Sequence, residues 1–173
     1  AGRAIDKVYI VRGDKDPSIG HIAALARASG AVVAEADRRK LDAMSLTGAH
    51  QGVIALAAVK SYVEIEDILA VAEGRREKPL IVVCDEISDP HNMGAIIRTA
   101  ECAGAHGVVI PKRRSSGVTA VVAKTSAGAV EHMAVARVAN IVSALHTLKE
   151  AGVWVYGASG DAHQALWQTD LTG

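Results

Sequence analysis

With 173 residues, the chain has room for one large domain or two small ones and enough length to bury a core. Half of it is hydrophobic, yet only 3% is aromatic and Phe is absent, so the core must be built from Ala, Val, Ile and Leu, and a surface gripping single strands mainly by base stacking is disfavoured. Nineteen basic residues balance nineteen acidic ones, so any affinity for nucleic acid must come from local clusters of Lys and Arg.

The opening AGRAIDKVYIVRG lacks the basic start and apolar run of a signal peptide. No stretch approaches the ~20 continuous apolar residues of a membrane span. The expectation is a cytoplasmic protein with no membrane partner. Cys84 and Cys102 lie in apolar stretches without a CxxC pair and read as reduced core thiols.

In chain order, Val8 to Val11 reads as a buried strand closed by Arg12-Gly13-Asp14. Ser18 is a candidate cap for a helix with apolar positions Ile22, Leu25 and Ala26. Gly30 ends it, Ala31 to Ala34 supplies a second strand, and a polar helical piece spans Asp37 to Ser45. His50-Gln51-Gly52 then leads into a third strand, Val53 to Val59. Composition breaks at EGRREKP, residues 73–79, where charge, Gly74 and Pro79 mark a linker between domains, though a surface loop within one domain has the same composition.

Leu80 to Cys84 restarts the pattern as an unbroken apolar strand of the kind buried on both faces of a parallel sheet. A polar loop to Asn92, a helix from Met93 to Ala103 and a strand from Val108 to Pro111 follow. After Lys112-Arg113-Arg114 come helices over 118–124 and 141–151, then a strand from Trp154 to Gly157. Repeated strand–helix–strand order predicts an α/β fold with a parallel sheet.

The most informative stretch is DEISDPHNMGAIIRTAECAGAHG, residues 85–107. It leaves the carboxyl end of a buried strand and enters a helix, where ligands bind in open α/β sheets. Asp89 and Asn92 are both good caps, with Asn92 directly before the apolar repeat. Gly94 costs the helix roughly 1 kcal/mol against Ala, which makes sense if another backbone or a phosphate approaches closely. Arg98, one turn later, suits a sugar–phosphate substrate. An N-capped helix carrying one surface arginine accounts for the same residues without a ligand.

The run Asp89-Pro90, Asn92, Gly94, Ile96-Ile97-Arg98-Thr99-Ala100, Gly104, Gly107 resembles the first signature motif of the SpoU (TrmH-type) RNA ribose 2′-O-methyltransferases of the SPOUT superfamily. Ser126-Ala127-Gly128-Ala129 with Glu131-His132 resembles the family's next loop. The part ending in His50-Gln51-Gly52-Val53 resembles the ribosomal-protein-like module that precedes the enzyme domain in many members. Nearly the whole chain is covered.

The resemblance implies a small α/β RNA-binding domain over 1–73, a linker over 74–79 and a SPOUT domain over 80–173, normally a homodimer. It implies methyl transfer from S-adenosylmethionine to a ribose 2′-hydroxyl of structured RNA, with ribosomal RNA preferred over transfer RNA. By the same resemblance Arg98 is the catalytic arginine, Asn92 acts near it, and Gly157, Ala158 and Ser159 border the methyl donor. Gly94, Ser126 and Gly128 belong to motif loops without an assigned role. Members continue past the position of Gly173 with a Gly-Ser-Glu-Gly type loop and a motif containing Ser and Asn, which form the trefoil knot and most of the donor pocket, and have an opening helix before the position of Ile5. Neither end is found in this sequence, so the expectation is a chain truncated at both ends that binds the donor poorly, with a non-catalytic RNA-binding platform as the alternative.

Smaller signals divide between function and ordinary structure. Lys112, Arg113 and Arg114 are candidate phosphate contacts, set against a solvated basic turn; Arg38-Arg39-Lys40 and Arg75-Arg76 are weaker. His50 and Gln51 are candidate RNA contacts or a capped approach to a strand. His91, His106, His132 and His146 with Asp85, Glu86 and Asp89 have no recognised ligand spacing, so no metal is expected. Ser159 and His163 lack a nucleophile elbow, and Trp154 and Trp167 read as core or interface residues.

Overall fold

The computed structural model describes residues 5–14, 16–45 and 48–171. Its first layer grows from β1 (Ile5–Val11), whose alternating side chains bury Asp6 and Val8. β1 pairs parallel with β2 (Val32–Ala36) and antiparallel with β3 (Val53–Ala57), in the order β2-β1-β3. The crossover α1 (Pro17–Ala28) starts with Pro in its first turn and Asp16 as cap, its side chain accepting the Ser18 N–H at 2.8 Å. Asp16, rather than Ser18, is therefore the cap. α1 buries Ile19, Ala23 and Ala26, leaving Ile22 and Leu25 exposed. The small alanines let the helix sit close to the sheet, where Ala26 packs with Val8 and Ala31. A short α2 (Arg38–Met44), capped by Asp37, buries Leu41.

The chain then crosses to a second layer. Val63 bridges in parallel to Ala136, and α3 (Ile65–Arg75) follows, with Glu64 and Asp67 forming a capping box. Ile65 and Ile68 of α3 pack with Val109, Ala136 and Leu148. By packing, α3 belongs to the second layer. Composition marks the 74–79 loop because it is exposed, whereas contacts decide which layer a helix joins.

That layer is a three-stranded parallel sheet, β4 (Ile81–Val83), β5 (Gly107–Pro111) and β6 (Ala134–Val138), in the order β4-β5-β6. The fold is thus α/β in both layers. β5 is buried along its whole length. Val108 and Ile110 face α4 (Pro90–Cys102) and α5 (Ala120–Thr125), packing with Met93, Ile97 and Val122, while Val109 faces α3 and α6 (Ile141–Glu150). Helices on both faces are what unbroken apolar strands require.

Two expectations fail. Trp154 to Gly157 forms no strand among the described residues, because an apolar run makes a ladder only where a neighbour pairs with it. Cys102 is exposed on the polar side of α4, and only Cys84 is buried, its thiol pushed up to about 11 by burial. No helix of the described residues is long and apolar enough to cross a membrane.

Lys60 and Arg137 join the layers. The Lys60 ammonium donates to the carbonyls of Val130, Glu131 and Met133 at 3.3, 2.8 and 3.0 Å. Burial pulls its pKa down, partly offset by the charge of Glu131. Arg137 on β6 reaches Asp6 on β1.

Because Ile68 fills the space between α3 and the glycine at position 107, Ile68→Ala should cost roughly 3 kcal/mol, whereas Ile22→Ala on exposed α1 should stay within about 0.5 kcal/mol. Urea unfolding followed by circular dichroism checks both; equal costs would contradict this packing.

Candidate functional site

Parallel strands deliver their carboxyl ends to one edge, and the motif loop after β4 and the basic loop after β5 leave the sheet there. Asp89 caps α4, its side chain accepting the His91 N–H at 2.9 Å, and Pro90 fills the first helical position. Asn92 is accordingly the third helical residue, inside the helix rather than its cap. It is exposed, and so is Arg98 two turns on. Among the described residues neither side chain has a hydrogen-bond or ion-pair partner. A guanidinium left free on the helix that leaves β4 can hold a phosphate or stabilise a developing oxyanion.

Gly94 faces the end of α5. A Cβ there would lie 2.7 Å from the Thr125 Cβ and 2.9 Å from the Ser126 backbone N. The close neighbours that demand glycine are therefore the Thr125 side chain and the Ser126 backbone of the facing segment. Ser126 is buried; its hydroxyl donates to the Ala123 carbonyl at 3.0 Å and accepts the Val130 N–H at 3.4 Å. Gly128, at φ +85°, turns the chain into the 3₁₀ segment Ala129–Glu131. Ser126 and Gly128 thus shape the bed on which α4 lies, and Gly94 lets the helix approach it closely.

The basic loop is tied to the motif loop. The Ile87 carbonyl accepts the Ser116 N–H at 2.7 Å and the Ser115 hydroxyl at 3.2 Å. Arg114 pairs with Glu86 at 2.9 Å, both exposed. Lys112 and Arg113 are exposed and make no ion pair among the described residues. Of the three basic residues, these two are free to meet an anion.

Other candidates are spent on structure or stand elsewhere. The His50 ring is only 3% exposed; Nδ1 accepts the Gly52 N–H and Nε2 contacts Asp42, each at 2.9 Å. His50 thus pins a turn and cannot face RNA, while Gln51 beside it is exposed at φ +49°. His106 is used likewise, Nδ1 accepting the Leu80 N–H and Nε2 contacting Glu77. No group of three or more His, Cys, Asp or Glu able to hold a metal occurs among the described residues.

Gly157, Ala158 and Ser159 line a cavity of about 850 Å³ together with Leu80, Ile81 and Trp154. Its volume lies in the range of small-molecule sites, about 300–1,000 Å³, and glycine, alanine and aromatic walls fit a nucleoside-sized group. Trp154 and Trp167 line it at 69% and 87% exposure, so neither is a core residue. Asn92 and Arg98 do not line it: the cavity meets the amino end of β4, and α4 leaves the carboxyl end. Sequence reasoning missed Asp6, Tyr62 and Arg137, which no local pattern links across separations of 56 and 131 residues.

A parallel sheet with an exposed arginine and amide on the helix after its first strand and an exposed basic loop after its second, joined to a further α/β layer, defines a two-layer α/β protein. The comparisons give the family. The profile of the SpoU rRNA Methylase family matches residues 79–172, and that of RNA 2′-O ribose methyltransferase substrate binding matches residues 1–63. The chain is 43% identical over 168 residues to the putative TrmH family tRNA/rRNA methyltransferase YacO of Bacillus subtilis, covering 97% of this chain and 67% of that protein. It is 47% identical over 146 residues to the tRNA/rRNA methyltransferase slr0955 of Synechocystis, covering 84% and 38%. It is 37% identical over 174 residues to the 23S rRNA (guanosine-2′-O-)-methyltransferase RlmB of Pseudomonas putida, covering 99% and 68%. The chain belongs to the SpoU rRNA methylase family.

Gly94→Ala should destabilise the protein, because overpacking of about 1–3 kcal/mol outweighs roughly 1 kcal/mol of helix propensity gained. A urea midpoint that does not fall would show that α4 and α5 are further apart.

Proposed function

We propose that this chain carries the RNA-facing platform of an S-adenosylmethionine-dependent RNA ribose 2′-O-methyltransferase, acting on ribosomal RNA in preference to transfer RNA. The observation that carries the reading is the exposed, unpaired Arg98 on the helix that leaves the carboxyl end of β4. The relatives named for 23S rRNA guanosine 2′-O methylation support the ribosomal preference.

Attack by a ribose hydroxyl depends on its being held in line with the group it receives, so positioning is a main lever. Arg98 holds the neighbouring phosphate and stabilises negative charge growing on the hydroxyl oxygen. Asn92, two turns earlier, offers an amide to orient the ribose. Lys112 and Arg113 neutralise flanking phosphates without reading bases. Gly157, Ala158 and Ser159 would hold S-adenosylmethionine, which supplies the electrophilic methyl group when bound. Family resemblance supports a homodimer, and an RNA substrate supports a cytoplasmic place of action.

The separation of the Gly157–Ser159 cavity from Arg98 favours a second reading, an RNA-binding platform that does not itself transfer methyl groups. Labelled-methyl incorporation into ribosomal RNA by the full-length protein decides between them. Arg98→Ala should abolish incorporation with an unchanged circular dichroism spectrum. Normal turnover by that variant would remove Arg98 from the mechanism, and no transfer by the unaltered protein would favour the platform.

Replacing Lys112 and Arg113 together by Gln should weaken RNA binding similarly across sequences. The slope of log affinity against log salt should become shallower by about 1–2. An unchanged slope in anisotropy titrations would assign the loop to solvent.

A further inference from the structure

The joint between the layers contains more polar chemistry than a packing contact needs. Arg137 Nη1 donates to Asp6 Oδ1 at 2.9 Å, and Nη2 donates to the Asp6 carbonyl at 3.0 Å and the Lys112 carbonyl at 3.3 Å. The Tyr62 hydroxyl donates to Asp6 Oδ2 at 2.7 Å and accepts the Val118 N–H at 3.0 Å. The Arg137 guanidinium lies 5.3 Å from the Tyr62 ring centroid. Both members of the ion pair are buried, their side chains 10% and 4% exposed. Gly117 closes the arrangement, since a Cβ there would lie 2.8 Å from Asp6 Cγ and 3.0 Å from the Tyr62 hydroxyl.

These contacts hold the basic loop at both ends. Lys112 is held through its carbonyl, and Val118 through its N–H, by residues that converge on Asp6 of β1. The position of Lys112 and Arg113 is therefore set by the first layer as well as by the sheet that carries them. We infer that Asp6, Tyr62 and Arg137 form an interlayer latch of positioning residues that makes the first layer and the Lys112–Arg114 loop bind RNA as one fixed surface. This inference rests on the RNA reading above for its ligand, but not for its geometry.

The test measures geometry and binding separately. Exposed Cys102 takes one spin label and Ala28→Cys on exposed α1 takes another, while buried Cys84 stays unlabelled. Pulsed electron resonance should give one narrow distance in the otherwise unaltered protein and a broad distribution in Asp6→Asn. Arg137→Lys, which keeps charge but loses the fork, should fall between and serves if Asp6→Asn fails the circular dichroism check. A labelled stem-loop of large-subunit ribosomal RNA should bind the latch variants about tenfold more weakly, as two linked surfaces lose their fixed spacing. Narrow distances in folded variants, or a broad one before mutation, overturn the latch. Broadened distances with unchanged affinity overturn its role in RNA binding. No RNA binding by the unaltered protein overturns the RNA reading, and the distances still judge the latch.

Discussion

Burial of β5 on both faces is the constraint from which the rest of the second layer follows. Val108 and Ile110 point to one face and Val109 to the other, so each face must be covered by helices. A parallel strand can be reached again only by a crossover, and each crossover returns the chain in the same direction. The loops after β4, β5 and β6 are thereby brought to one edge without any contact between functional side chains. Gly107 shows how tight the construction is, since a Cβ there would meet Ile68 of α3 at 2.6 Å. The motif loop and the basic loop then need only the Ile87 carbonyl to hold them together.

The joint between layers follows a different logic. Apolar packing fixes distance well and rotation poorly, whereas a forked guanidinium fixes both. Its cost is desolvation, and burial raises the Asp6 pKa even though the Tyr62 hydrogen bond and the Arg137 charge pull it down. Arg137 Nε is buried without a hydrogen-bond partner among the described residues. A buried pair with that cost is weak evidence for stability, and its plausible return is a defined arrangement. The three carbonyls around Lys60 act in the same sense at the other side of the connector.

What was legible in the sequence depended on how local its cause was. Val8–Val11, Leu80–Cys84 and Val108–Pro111 are runs of β-branched residues whose pairing partners are near in the fold, and all contribute strands. Trp154–Gly157 offers one β-branched residue and two aromatics but no described neighbour to pair with, so its strand propensity misled. β6 was missed because Ala134, Ala136 and Arg137 dilute its strand signal, and it owes its place to pairing with β5. The 74–79 break was a true change in composition, yet α3 before it joins the second layer because Ile65 and Ile68 find their cavity there. Residues rich in chemistry were over-read for one reason: sequence cannot show whether a polar atom is already occupied. His50, Ser126 and Arg114 all have internal partners.

That accounting also narrows the site. A folded chain satisfies polar groups internally wherever water cannot reach them, so structural roles claim the buried ones first. Once His50, Ser126 and Arg114 are set aside with Gly94 and Gly128, Asn92, Arg98, Lys112 and Arg113 are exposed on α4 and the loop after β5, without an ion-pair partner among the described residues. Three are cations and one is an amide, side chains able to hydrogen-bond phosphate and hydroxyl oxygens. Exposed charges of this kind contribute little to stability. Their exposure without ion-pair partners among the described residues is therefore better explained by what they can bind than by what they hold together.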